Sequence, residues 1–413
     1  MIQENTKSLS YYIACLVFLI VTCQVTFLTP YVIVVSGERA NVFSGLLCAG
    51  ALLVAIFLAP KSNIKLRSSE IAVSFALSIL AALSSVLSAT PGSSSWRAFV
   101  IMSSGLGGYW CSRLLLQSVR VRKAFVYFCL GLMICVSFLF FLAILRGYPG
   151  FLFFDVGYHA ISSRMMLMSF APIALIACGG AINTTIGVAA LVIAYVTVVA
   201  NVYWGGVSTG PVVAIVVFLI GCAFLWKNLK IRKFLLGTCF VLLIIAPIFL
   251  CAMVDDIPKD SQSVAYRVEN IFFSTHIATK HPLLGIGPFA PREKLLADYE
   301  ITYPFLTKDR FQSMTRNVIT SENLPLTLIA EFGLPFSLIY LGAVLCLIYM
   351  IFGMAKSPPA GFYPHPLALL LPLIGMFIQF QIFDGIYHPQ VSWLFHILLG
   401  MSFLDSCETD RGI

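Results

Sequence analysis

The sequence predicts an all-α, polytopic membrane protein with about twelve transmembrane helices and one large, partly helical outer loop. Three observations carry that prediction. Apolar residues make up 59% of the 413-residue chain and charged residues only 11%, with a mean hydropathy of +0.94. A soluble domain carries about 25% charged residues, so this chain could not cover a water-facing surface. Apolar runs near the 20 residues or so needed to cross a hydrocarbon core recur along it. The runs are continuous and lack strand-like alternation, which excludes a closed β-barrel. The same arithmetic excludes fibrous, disordered and nucleic-acid-binding classes, because the 26 Lys and Arg are dispersed and not gathered on one domain.

The first run, 10–36, is too long for a signal-peptide core, and no small-x-small cleavage site follows it. Runs then appear at 42–60, 70–89, 96–113, 124–146, 161–182, 186–203, 211–226 and 234–253, so residues 1–253 hold nine spans. A polar segment, 254–320, interrupts the rhythm. Runs at 322–351, 366–383 and 391–404, with a short tail, complete the membrane part as 321–413.

Charge sets the orientation. Placing the N-terminus in the cytoplasm leaves Lys7, Lys61, Lys65, Arg67, Arg113, Arg120, Arg122, Lys123, Lys227, Lys230, Arg232, Lys233, Lys356 and Arg411 inside. The short outer loops then hold only Arg39, Arg97, Arg146 and Arg164. That is the positive-inside pattern, and an even span count returns the C-terminus to the cytoplasm. All four outer cations are arginine, whose planar fork suits bidentate binding of anions.

The twelve cysteines lie almost all in apolar spans and show no CxxC, so they read as small packing residues and give neither disulfide framework nor zinc site. Asp255-Asp256 resembles half a metal site but has no further ligands, and no metal is expected. Segment 254–320 carries eight basic and eight acidic residues. Apolar residues at Val264, Val268, Ile271, Phe272 and Ile277 have roughly helical spacing, and Pro291 opens a second short stretch, so a helical cap over the outer face is expected. Charges inside spans usually mark ion or substrate pathways. Here Glu331 is the one clear case, and its bland reading is a bond to a neighbouring helix. Polar residues gather at outer helix ends instead, which suits an enzyme or receptor at the interface better than a transporter.

Residues Tyr266 to Gly287 read YRVENIFFSTHIATKHPLLGIG, and SENLPLTLIAEFG follows from Ser321 to Gly333. An arginine-led helix, HPLLGIG, and an Asn-x-x-Leu segment ending in AExG together resemble the O-antigen ligase and polysaccharide polymerase family. The motif resemblance covers about seventy residues; span count and loop position extend it along the chain. It implies a GT-C-like membrane glycosyltransferase of the bacterial inner membrane, with its site on the periplasmic face and no cofactor or metal. The implied donor is an undecaprenyl-diphosphate-linked glycan, the acceptor another lipid-linked glycan or lipid A-core, and the further partners are polysaccharide chain-length or export proteins.

By the same resemblance Arg267 matches the loop arginine that holds the diphosphate, and Arg164 an upstream one. The histidine of the ligase HN motif is replaced by Glu322-Asn323, and an SRG-like turn reads Ser208-Thr209-Gly210. Both departures favour polymerase over ligase, with a lipid-linked sugar flippase as the reading from another class. Glu322 is then a candidate to accept the acceptor's proton, or an acid favoured by the helix dipole. Arg267 equally suits an ion pair within the cap. An anion beside Arg164 would offset its unfavourable place at a helix start. Arg146, Arg97, Asn323, His281 and Tyr158 complete the candidate substrate-binding set. Arg146 and Arg97 equally suit headgroup anchors and His281 a turn residue. Tyr158 belongs to the aromatic loop RGYPGFLFFDVGYHAISSR between Arg146 and Arg164, which reads as an interfacial belt or as a re-entrant lip touching substrate.

Overall fold

Lipid offers no hydrogen bonds, so an apolar chain must satisfy its backbone within each segment, and helices do that. The computed structural model describes residues 2–28, 38–59, 67–88, 91–146, 158–205, 274–288, 323–359, 361–381 and 385–402. Among them every regular element is helical. In chain order they are α1 (Ile2–Cys23), continued by a π-helical turn (Gln24–Leu28), α2 (Glu38–Leu58), α3 (Ser68–Val86), α4 (Pro91–Leu115), α5 (Val119–Leu145), α6 (Tyr158–Met168), α7 (Phe170–Cys178) and α8 (Ala181–Gly205). After the loop come α9 (Leu324–Phe332), α10 (Leu334–Lys356), α11 (Pro366–Gln379), a 3₁₀ turn (Gly385–Tyr387) and α12 (Pro389–Met401). Residues 274–280 form a further helical stretch. The expected spans at 211–226 and 234–253, and most of the expected cap, lie outside the described residues.

Six helical stretches among the described residues are long and apolar enough to cross a membrane: Leu9–Thr26, Ser68–Val86, Val119–Leu145, Ile161–Cys178, Ala181–Val198 and Leu334–Lys356. Val42–Leu58 and Pro366–Gln379 are apolar but shorter. Among the described residues the chain is all helical, and these long apolar helices are those of a membrane-embedded protein.

Two expected spans differ from the structure in instructive ways. The run 322–351 is two helices, broken at Gly333, whose φ of 86° and ψ of 169° lie in a region open essentially to glycine alone. The last run becomes α12, only 13 residues and every one of them buried. At 1.5 Å per residue it is about 20 Å long, short of the roughly 30 Å hydrocarbon core. It is a pillar inside the protein and not a lipid-facing span.

Helix α12 packs most heavily on α4 and also touches α6, α11 and the π turn. Small residues permit the approach: a Cβ on Gly108 would stand 2.7 Å from the Trp393 carbonyl oxygen, and one on Gly400 would collide with Ser112. Close small-residue contacts replace hydrophobic burial as the means of joining helices in lipid. Buried polar bonds lock the same helix. Trp393 Nε1 donates to Thr22 Oγ1 of α1 at 3.0 Å. His396 pairs through Nδ1 with the Ser392 carbonyl at 2.7 Å, leaving Nε2 to meet the Tyr340 hydroxyl of α10 at 3.3 Å.

Hydrogen bonds define the two ends of the bundle. At one, Arg113 makes a two-pronged ion pair with Glu70 (3.0 and 3.2 Å), Tyr11 donates to the Leu115 carbonyl at 2.6 Å, and Arg122 donates to the Tyr363 carbonyl at 2.7 Å. Arg67, Arg120, Lys123 and Lys356 belong to this end as well. At the other stand Ser84, Ser88, Glu331 and Tyr387. From sequence Glu331 is the one clear charge within the spans; the structure also buries Glu70, Arg113, Arg122 and Arg164.

Candidate functional site

Helix α9 is too short to cross anything and is pinned at both termini. Asn323 caps its start: Oδ1 accepts from Leu326 N at 3.1 Å, while Nδ2 donates to the Gln381 carbonyl at 3.0 Å. Leu324 N donates to the Phe380 carbonyl at 2.8 Å. The N-terminus of α9 is therefore tied to the end of α11.

Its other end is capped by a distant stretch of chain. Helix C-termini leave carbonyls without partners, and here the turn 281–287 supplies the donors. Ile286 N donates to Ala330 O at 3.0 Å and Gly287 N to Glu331 O at 2.9 Å, while Leu334 N returns a bond to Pro282 O at 2.8 Å. Ser84 Oγ adds a second bond to Glu331 O at 2.7 Å. Gly285 (φ 62°) is required twice over, by its positive φ and because a Cβ there would strike the Glu331 carbonyl. Thus HPLLGIG and the AEFG end of α9, separate in sequence, form one hydrogen-bonded unit laid across α3.

Inside that unit Glu331 is 3% exposed. Its Oε2 accepts from the Tyr387 hydroxyl at 2.6 Å, a length typical of charge-assisted O–H···O⁻ bonds. Ser88 Oγ donates to Ser94 Oγ at 2.8 Å, and Gly287 packs against both serines. The Glu331 carboxyl is thus buried and accepts the Tyr387 hydroxyl, while its backbone carbonyl takes bonds from Ser84 Oγ and Gly287 N. The expected bond from Glu331 to a neighbouring element is found, and Tyr387 makes it.

Arg164, also 3% exposed, lies in α6, which packs on both α11 and α12. Its Nη1 donates to the Thr26 carbonyl of the π turn at 2.9 Å. Thr26 Oγ1 bonds back to Thr22 O at 2.5 Å, and Thr22 receives Trp393. Glu331, through Tyr387, and Arg164, through this chain, thus both connect to the first turns of α12.

No protein-family model matches the chain. No curated protein matches it either.

Of the residues singled out from sequence, Arg267 and Glu322 lie outside the described residues. Glu322 directly precedes the Asn323 cap. Asn323 and His281 join the two-part unit, Asn323 as the cap of α9 and His281 exposed at the head of the turn. Arg97 is half-buried in α4, Arg146 is exposed as the C-cap of α5, and Tyr158 begins α6 with its side chain outside the description. Sequence reasoning missed Tyr387, which sits 56 positions from Glu331 with no spacing rule to join them. Ser84, Ser88 and Ser94 were missed too, as ordinary small residues of apolar helices.

Proposed function

We propose that the chain is a membrane glycosyltransferase that extends a polysaccharide, moving a glycan from undecaprenyl diphosphate to a sugar hydroxyl of a second lipid-linked unit. The observation that supports this most is the meeting of the two motif segments. HPLLGIG and NLPLTLIAEFG carry the family resemblance, and they dock on each other around a buried carboxylate. In this reading the end rich in Arg and Lys faces the cytoplasm of a bacterial inner membrane, and the Glu331 end faces the periplasm.

The chemistry has three requirements. The acceptor oxygen forms a bond to the anomeric carbon while the bond from that carbon to the diphosphate oxygen breaks. The acceptor proton passes to a carboxylate, assigned to Glu322, the residue before Asn323 in the sequence. The departing diphosphate gains negative charge, which Arg267 and Arg164 stabilise as it develops. Thr26 orients the Arg164 guanidinium for that work. Arg97, Arg146, Asn323, His281 and Tyr158 border the substrate. The long apolar carrier lies against the lipid-exposed helices.

The test uses purified chain with an undecaprenyl-diphosphate-linked repeat unit. Elongation should proceed in EDTA, because arginine holds the diphosphate. Arg267→Lys keeps the charge and loses the planar fork, so it should fold normally and lose most activity. Arg39→Lys serves as the control. Near-normal turnover in both Arg267→Lys and Arg164→Lys overturns the diphosphate clamp. Deletion in the native host should leave single repeat units on lipid A-core. Bare core with polymer stranded on its carrier would make the chain a ligase, and transport of lipid-linked units without elongation would make it a flippase.

A further inference from the structure

A cleft of about 590 Å³ opens on the flank of the bundle between α2, α3 and α4. Leu52 and Ile56 form one wall, Ile71 and Phe75 the other, and Leu106 and Leu114 the floor. The few polar atoms along it are already satisfied. Trp110 Nε1 donates to Ser74 Oγ at 3.1 Å, Ser74 Oγ donates to Glu70 O at 2.9 Å, and Ser78 Oγ donates to Ser74 O at 2.8 Å. The described lining of the cleft is therefore almost entirely hydrocarbon, which suits an alkyl chain and not a polar ligand.

Its α3 wall also has a direction. Ile71, Ser74, Phe75 and Ser78 form one helical stripe, and Arg67, exposed at the N-cap, stands one turn before Ile71 on the same stripe. From Arg67 to Ser78 the helix rises about 16 Å, close to half of a hydrocarbon core of about 30 Å. Arg67 thus stands one helical turn beyond the apolar lining that runs along α3. The neighbouring Glu70 carboxylate is neutralised by Arg113 and does not oppose an anion there. The surrounding end of the bundle is itself basic.

We infer that this cleft is a binding site for one anionic phospholipid of the adjoining leaflet, its phosphate at Arg67 and an acyl chain along α3. The site stands apart from the Glu331 unit, at the opposite end of the bundle, and does not depend on the glycosyltransferase reading.

Native mass spectrometry of the full chain in detergent tests this, with phosphatidylglycerol and phosphatidylcholine of identical chains as probes. Wild type should retain one phosphatidylglycerol and prefer it about tenfold. Arg67→Gln, at an exposed position, should erase the preference in protein whose thermal unfolding midpoint matches wild type. Ser78→Trp fills the channel and should abolish retention of both lipids, while Ser78→Ala, which leaves the channel open, should bind as wild type. Equal retention of the two lipids by wild type, or undiminished preference in Arg67→Gln, overturns the proposal. So does unaltered binding by folded Ser78→Trp, or preferential capture of an isoprenyl phosphate offered in the same mixture.

Discussion

The Tyr387 hydroxyl holds a buried carboxylate, and a bond of that kind contributes more than a neutral one. Hydrogen bonds to charged groups are worth about 1.5–3 kcal/mol, and stranding a buried acceptor adds a desolvation cost. Tyr387→Phe should therefore lower the thermal unfolding midpoint by an amount equivalent to about 2 kcal/mol. Glu331→Gln, whose amide oxygen can still accept from Tyr387, should cost less. If both variants unfold alike, and the double variant adds their losses, the pair is not coupled. Sequence showed one partner of this pair and hid the other. An acid inside an apolar run is conspicuous, whereas a tyrosine before a proline-led helix is ordinary. Arg164 was conspicuous in the same way, as a cation expected at a helix start, yet it lies well inside α6 and donates to a backbone carbonyl 138 positions away. Long-range partners of this kind leave no periodic trace.

At the scale of elements, apolar runs located most of the described helices, because crossing lipid constrains length and composition together. They failed where a helix is interrupted without any change of polarity. LPLTLIAEFGLPFSLIY is apolar on both sides of Gly333, so hydropathy reads one span where the backbone turns a corner. They failed again at α12, where burial by protein instead of lipid allows a helix shorter than the membrane. The corner yields a direct test. Gly333→Ala forces a Cβ into a conformation that costs about 1–3 kcal/mol, and the same atom meets the Leu283 carbonyl. The variant should lose thermal stability by at least that range, whereas Gly342→Ala, in α10 with open space around it, should be neutral or slightly stabilising. Equal midpoints for the two variants would show that the docked turn does not hold α9 in place.

For the whole molecule, the uneven distribution of cations predicts a fixed orientation. In the proposed orientation, cysteine at position 357, after Lys356, should react with a membrane-impermeant maleimide only once the membrane is opened. Cysteine replacing Arg146 should react in sealed cells or vesicles of native orientation. The reverse pattern would invert the topology. Inversion would move Glu331 to the cytoplasm and remove the physical basis for a carrier-linked substrate on the other side. One further consequence follows from α12, which joins α4, α6 and α11 and bonds to Thr22 across 371 positions. Translation delivers it after every other described helix. At common elongation speeds of about 5–20 residues per second, the glycine face of α4 waits roughly 15 to 60 seconds for its partner. A nascent chain stalled before Pro389 would leave the glycine face of α4 without the helix that packs on it.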